Sequence, residues 1–387
     1  MEAAKLDFII KKFFINSEVL SINPIDSGLI NKTYIVEHVY NGKKNKFILQ
    51  CLSDIFESHQ ILIRNHNLVT DHIRGKINNS YFDFDLKRWQ SPNLIRCQAN
   101  SLFTFTFESN VWRAMRYIDK SFSLDRLEDG RMAYQIGIGL AKFHSICSDI
   151  DCCKFENSIK NFHNTKYYLD KYIRTLRDYN FINLDQKVNK RIKDLINCLS
   201  NHIGLVDFLL TSLSKKTIDR NIIHGDPKLS NFLFDINYKY VVSLIDLDTV
   251  SSGYFLTDLS DCIRSICNLA GEDPENKENV FFDMKTCKYF LKGYFSIFMK
   301  DKNYSFGLLP EFIYLIIFEL TIRFFTDFLL SNMYFKIKYE THNLYRAEIQ
   351  YRLLSSFIIQ IPNLSFELHK NGIFSSSKFV SDVQKFI

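Results

Sequence analysis

Residues 222–248 constrain this chain more than any other stretch. Two short apolar, strand-like runs, Ile222-Ile223 and Phe232-Leu233-Phe234, flank His224-Gly225-Asp226-Pro227-Lys228-Leu229-Ser230-Asn231. A third run, Val241 to Ile245, ends on Asp246-Leu247-Asp248. Each Asp or Asn taken singly is an ordinary turn or capping residue. His-Gly-Asp with Asn five positions after the Asp should arise by chance in roughly a few per thousand chains of this length. A further carboxylate at a strand end makes the coincidence rarer still.

The residue types suit one chemistry. Phosphoryl transfer needs charge neutralisation and in-line placement of the acceptor oxygen more than covalent help. Asp226 can orient an acceptor hydroxyl and take its proton. The Asn231 amide oxygen and the Asp246 carboxylate are the hard ligands that Mg²⁺ prefers. Lys228, between them, can offset charge on the transferring group. Asp-x-x-x-x-Asn followed by a strand-end carboxylate is the layout of a kinase catalytic loop and its metal-binding partner.

The first third of the chain reads as strands with one helix. Residues 19–26 and 33–40 alternate apolar and polar, and Asn41-Gly42 links the second run to Phe47-Ile48-Leu49-Gln50, a strong hairpin signal. Ile61, Leu62, Leu68, Val69 and Ile73 recur at helical spacing between Glu57 and Arg74. Alternation returns over 101–107 and 111–118. After Asp119 helical periodicity dominates, over 129–147, 165–177, 184–214, 283–300, 310–330 and 343–360. The expectation is an α+β, protein-kinase-like fold in two lobes: a small antiparallel-sheet lobe over 1–119 and a mainly helical one over 120–387. Gly137-Ile138-Gly139 lies inside a helical pattern and lacks the third glycine of a dinucleotide loop, so it reads as helix packing.

Composition removes several other classes. Apolar residues make up 46% and charged residues 24%, a globular balance. The net charge of +6 is dispersed, which argues against a nucleic-acid polymer as partner. Its densest basic run, Lys43, Lys44 and Lys46, flanks a turn and reads as a solvated hairpin end. Nine cysteines include no Cys-x-x-Cys pair, so they read as reduced thiols of a cytoplasmic protein. The N-terminal segment reads as no secretory signal, and the apolar run 312–318 is too short for a bilayer, so no membrane partner is expected.

The catalytic-loop residues resemble those of the aminoglycoside phosphotransferase and choline kinase superfamily. Nearly end to end, the chain is more closely similar to the N-acetylhexosamine 1-kinases, which phosphorylate the anomeric hydroxyl of N-acetylglucosamine and N-acetylgalactosamine with Mg-ATP. The matching stretches are 28–34, 47–50, 245–250, Asp261-Cys262-Ile263-Arg264, Gly271-Glu272-Asp273, 323–327, Met333-Tyr334-Phe335 and 338–344. The resemblance implies Asp226 as base, Asn231 and Asp246 on magnesium, and Thr249, Arg323 and Tyr334 around an amino-sugar acceptor. It also implies ATP contacts from Asn31 and Gln50, and from a hinge at Met115 to Ile118 that includes Tyr117. Gln50 stands where most kinases carry a strand lysine, and Leu29 stands where this family has a histidine. Arg323, in an apolar helical stretch, can instead be a structural arginine paired with an acidic neighbour such as Asp327 at i+4.

Two rival readings remain open. One is a kinase for an aminoglycoside, choline or another small alcohol. Choline would need an aromatic cage, and an aminoglycoside an acidic cleft. The other is a catalytically silent kinase fold that only binds.

Overall fold

The computed structural model describes residues 2–25, 30–79, 88–180, 185–237, 240–298 and 305–374, together with 379, 381 and 383. Leu29 lies outside them.

The N-lobe is an antiparallel sheet with one helix before its first strand and another between its third and fourth. Strand β1 (Glu18–Ile25), β2 (Lys32–Tyr40) and β3 (Lys43–Cys51) form a meander. Asn41 and Gly42 take φ of 51° and 70° at the β2–β3 turn, the left-handed pair that a tight hairpin needs. Lys44 and Lys46 project from that hairpin onto Glu37 at 3.0 and 2.8 Å. Strand β6 (Asn110–Arg116) pairs with β3, and the short β4 (Leu94–Ile95) and β5 (Thr104–Phe107) pair with β6. Helix α2 (His59–Asn79) is the crossing helix that the periodicity predicts.

A second N-lobe helix, α1 (Glu2–Phe13), corrects the expectation of one. Charges at Lys5, Asp7, Lys11 and Lys12 break up any apolar run, yet they all fall on one side of the helix. Leu6, Ile9, Ile10 and Phe13 form the opposite stripe and bury against Val36, Phe47, Leu49 and Trp112 of the sheet. Full burial of each such side chain contributes about 1.5–3 kcal/mol.

The C-lobe is built from α3 (Gly130–Cys147), α4 (Thr165–Asp178), α5 (Gln186–Ser214), α6 (Phe255–Ile266), α7 (Met284–Phe298), α8 (Leu309–Leu329) and α9 (His342–Lys370). Their apolar faces meet in one continuous core. A Cβ on Gly137 would lie 2.1 Å from the Phe290 carbonyl oxygen, so this glycine lets α3 and α7 touch backbone to backbone. Four short strands carry the loops of interest: β8 (Asn221–Ile223), β9 (Phe232–Asp235), β10 (Val241–Leu244) and β11 (Ser251–Gly253). β9 pairs with β10 and with β7 (Ser121–Phe122), and β8 pairs with β11. Among the described residues no helix is long and apolar enough to cross a membrane.

Candidate active site

β8 delivers the chain from the core straight into the 224–231 loop, and α6 holds that loop in place. Asp258 of α6 is fully buried and accepts from His224 N (2.6 Å), Gly225 N (2.8 Å) and His144 Nε2 (2.9 Å). Burial opposes its charge, but the His144 bond and the loop amides prevail and keep it below the usual carboxylate range. His224 Nε2 donates to the Ile245 carbonyl at 2.8 Å while Nδ1 accepts from Asp226 N at 3.3 Å. That arrangement fixes a neutral ring, and burial lowers its pKa accordingly. Gly225 has φ +89°, and a Cβ there would lie 2.6 Å from the Thr249 carbonyl oxygen. Conformation and contact both demand glycine.

The loop presents its functional atoms toward a cleft between the lobes. Lys228 Nζ sits 3.1 Å from Asp226 Oδ2. Burial works against the ammonium, yet Asp226, Glu272 and Asp246 raise its pKa and keep it charged. Asn231 Nδ2 donates to the Asp226 carbonyl at 2.7 Å, which leaves its amide oxygen as the end suited to a cation. Asp246 adopts a left-handed conformation, φ 64° and ψ 56°, which aspartate tolerates better than most residues. Its carboxylate opens to the cleft but is surrounded by protein. That setting, with Asp248 and Asp226 nearby, holds its pKa above the usual carboxylate range, with Lys228 and Arg113 partly offsetting. Asn231 and Asp246 are hard oxygen donors of the kind that hold Mg²⁺ alongside phosphate oxygens and water. Among the described residues no group of three or more His, Cys, Asp or Glu could cage a metal alone.

On the N-lobe side, Gln50 Oε1 accepts from Arg113 Nε (2.9 Å) and Nη2 (2.6 Å), and Gln50 Nε2 donates to Thr33 Oγ1 (2.9 Å). Arg113 Nη2 also forms a buried ion pair with Asp248. The other Asp248 oxygen accepts from Asn31 Nδ2 at 2.6 Å, and Asn31 Oδ1 accepts from Ser53 N at 3.0 Å. Both ends of the Asn31 amide are thereby engaged. Met115 stands between Ile48 of β3 and Leu94 of β4, and Tyr117 is the first residue past β6.

On the opposite side, Arg323 of α8 lies 3.6 Å from Glu319 Oε1. Rings of Phe162, Tyr168 and Phe335 surround its guanidinium at 5.2, 4.8 and 5.8 Å. The acidic partner is thus Glu319 at i−4, not Asp327. Asp327 is used otherwise: it accepts from Tyr334 N and Phe335 N at 2.8 and 3.0 Å and from Asn343 Nδ2 at 2.9 Å, fixing the turn that carries Tyr334. Thr249 spends its hydroxyl proton on the His224 carbonyl at 2.9 Å.

One cavity of about 580 Å³ is lined by every residue that the sequence singles out: Asn31, Gln50, Met115, Tyr117, Asp226, Asn231, Asp246, Thr249, Arg323 and Tyr334. Its size is that of a small-molecule site. Arg113, Asp258, His163 and Glu319 are what sequence reasoning misses. Each has a partner more than sixty positions away, and the one legible signal, for Arg113, Asp258 and Glu319, is a charged residue inside an apolar run.

A kinase-like fold with these atoms gathered in its cleft has the make-up of a phosphotransferase that acts on an alcohol. Residues 90–279, catalytic loop included, match the model of the phosphotransferase enzyme family. Among solved structures, the chain is similar to an aminoglycoside phosphotransferase from Alicyclobacillus acidocaldarius (TM-score 0.58, 11% identity, 92% of this chain and 96% of that one). It is similar as well to spectinomycin phosphotransferase bound to ADP and spectinomycin (0.55, 15%, 89% and 93%). A microcompartment-associated aminopropanol kinase is a third such structure (0.56, 14%, 94% and 98%).

Proposed function

We propose that the protein transfers the γ-phosphate of ATP to the anomeric hydroxyl of an N-acetylhexosamine, giving the sugar 1-phosphate and ADP. The observation that carries this reading is the single cavity joining Asp226 and Lys228 to Gln50 on one side and to Arg323 and Tyr334 on the other. Residues 1–119 serve the nucleotide and 120–387 the metal and acceptor, in the cytoplasm. Adenine meets the backbone between Met115 and Tyr117, with Asn31 and Gln50 nearer the phosphates. Asn231 and Asp246 hold Mg²⁺, which neutralises phosphate charge and orients the phosphoryl oxygens.

Asp226 orients the acceptor hydroxyl and takes its proton as the new oxygen–phosphorus bond forms and the bond to the β–γ bridging oxygen breaks. Lys228, held 3.1 Å from Asp226, offsets charge on the group in transit. A carboxylate is a weak base, so the more acidic anomeric hydroxyl suits it better than an ordinary alcohol. Thr249, Arg323 and Tyr334 line the acceptor side.

The test is ADP release across N-acetylhexosamines, plain hexoses, aminoglycosides and choline, followed by N-acetylglucosamine against its methyl glycoside. Turnover of the free sugar alone supports the reading. Equal turnover of the glycoside shows that another hydroxyl is the target. Preference for choline or an aminoglycoside replaces the acceptor while keeping the chemistry.

A further inference from the structure

Beside Asp226 the cavity wall holds polar atoms that the protein leaves unsatisfied. Glu319 is 1% exposed, and its Oε2 accepts from Thr165 Oγ1 at 2.7 Å. Its Oε1 has no hydrogen-bond partner, although Arg323 Nη1 lies 3.6 Å away and His163 Nδ1 3.7 Å away. His163 Nδ1 is also buried without a partner, while its Nε2 donates to the Gly225 carbonyl at 2.5 Å. His163 holds a left-handed backbone, φ 56°. Glu319, His163 and Arg323 all line the cleft.

A buried carboxylate oxygen with cations near but no donor within hydrogen-bond distance is costly, so this corner is incomplete as it stands. A ligand hydroxyl completes it, since it can donate to Glu319 and at the same time accept from Arg323. A second observation restricts the acceptor further. The three rings of Phe162, Tyr168 and Phe335 form the kind of cage that attracts a ligand cation, but the protein's own arginine fills it.

We propose that Glu319 and His163, with Arg323, form a hydroxyl-reading corner that selects a neutral polyol acceptor and rejects quaternary ammonium compounds. The corner rests on the acceptor side assigned above and adds two binding residues to it. Because His163 also holds the carbonyl next to Asp226, a hydroxyl seated there is registered against the catalytic loop.

The experiment is calorimetric titration of N-acetylglucosamine, its 3-, 4- and 6-deoxy analogues and choline into the full chain with a non-hydrolysable ATP analogue. Wild type, Glu319→Gln and His163→Asn are compared, with thermal melts as a check on folding. Glu319→Gln keeps an oxygen for Thr165 but turns a donor toward the ligand. His163→Asn keeps a donor and tolerates positive φ. The expected result is at least tenfold weaker sugar binding in either folded variant, with nucleotide affinity within twofold. One deoxy analogue should bind wild type and Glu319→Gln alike, since the group they read is already missing. Absence of sugar binding to wild type, tighter binding of choline than of the sugar, or equal losses for every deoxy analogue would each overturn the proposal. If one variant fails to fold, the other and the deoxy series on wild type decide. Sugar binding of the expected pattern without formation of a 1-phosphate overturns the anomeric-kinase reading and leaves the corner standing.

Discussion

Gln50 of β3 and Arg113 of β6 face each other across one rung of the sheet, and the glutamine oxygen takes two guanidinium hydrogen bonds from the arginine. Kinases usually place a lysine at the Gln50 position to meet the phosphates. Here the positive charge stands one strand over and deeper, fully buried, where it also neutralises Asp248.

Removing that charge strands a buried carboxylate. Arg113→Met should destabilise the fold by about 3–5 kcal/mol, the range for breaking a buried pair from one side, read by urea unfolding. Arg113→Lys keeps the charge but not the fork that spans Gln50 and Asp248. It should fold, with KM for ATP raised more than KM for the acceptor. Unchanged stability in Arg113→Met would show that Asp248 is compensated elsewhere.

Asp246→Ala should abolish ADP release, a loss on the order of 10³-fold or more given the several kcal/mol of charge stabilisation a metal supplies. Its melting temperature should equal or exceed that of the wild type, because the surrounding protein disfavours the charge and Asp248 and Asp226 repel it. Near-normal turnover would place the metal on other ligands.

Asp258→Asn tests the support of the catalytic loop. Asparagine keeps the shape but surrenders one of the acceptor oxygens that hold His224 N, Gly225 N and His144. Loss of about 1–3 kcal/mol of stability is expected, with kcat falling more than either KM because Asp226 is displaced rather than the ligands. A fall confined to KM would contradict a positioning role.

Asp273 links the 271–273 loop to α9 through Arg346 Nε and Nη2 at 2.8 and 3.1 Å. Burial opposes its ionisation, but Arg346, His342 and Lys338 prevail and bring its pKa down to about 2. A depressed carboxylate stabilises the fold above its unfolded pKa of about 3.9 and loses that contribution as pH falls through the folded value. Acid titration of stability should therefore show a loss between about pH 4 and pH 2. Discounted for partial solvent screening, the term is about 1 kcal/mol. Asp273→Asn should be less stable at pH 7 and lack that part of the slope, measured by denaturation at stepped pH.

Much of this molecule is readable locally. The Asn41-Gly42 turn, the strand alternation and the catalytic loop depend on neighbours within a few positions, so residue order carries them. Helix α1 was readable too, at the i, i+3, i+4, i+7 spacing of Leu6, Ile9, Ile10 and Phe13, but scattered lysines masked the stripe. What a linear reading lacks is pairing over distance. Arg113 meets Asp248 across 135 positions and Thr165 meets Glu319 across 154. Arg323 shows the same limit in miniature: two acidic residues lie one turn away on either side, and only packing decides that Glu319, not Asp327, faces it.

Asp248 comes from the C-lobe, while Asn31 and Arg113, which hold it, come from the N-lobe. The base of the cleft is thus pinned by a dry ionic knot that separating the lobes would tear open. A motion that parted the lobes would have to break this knot or turn about it, opening the mouth of the cleft more than its floor.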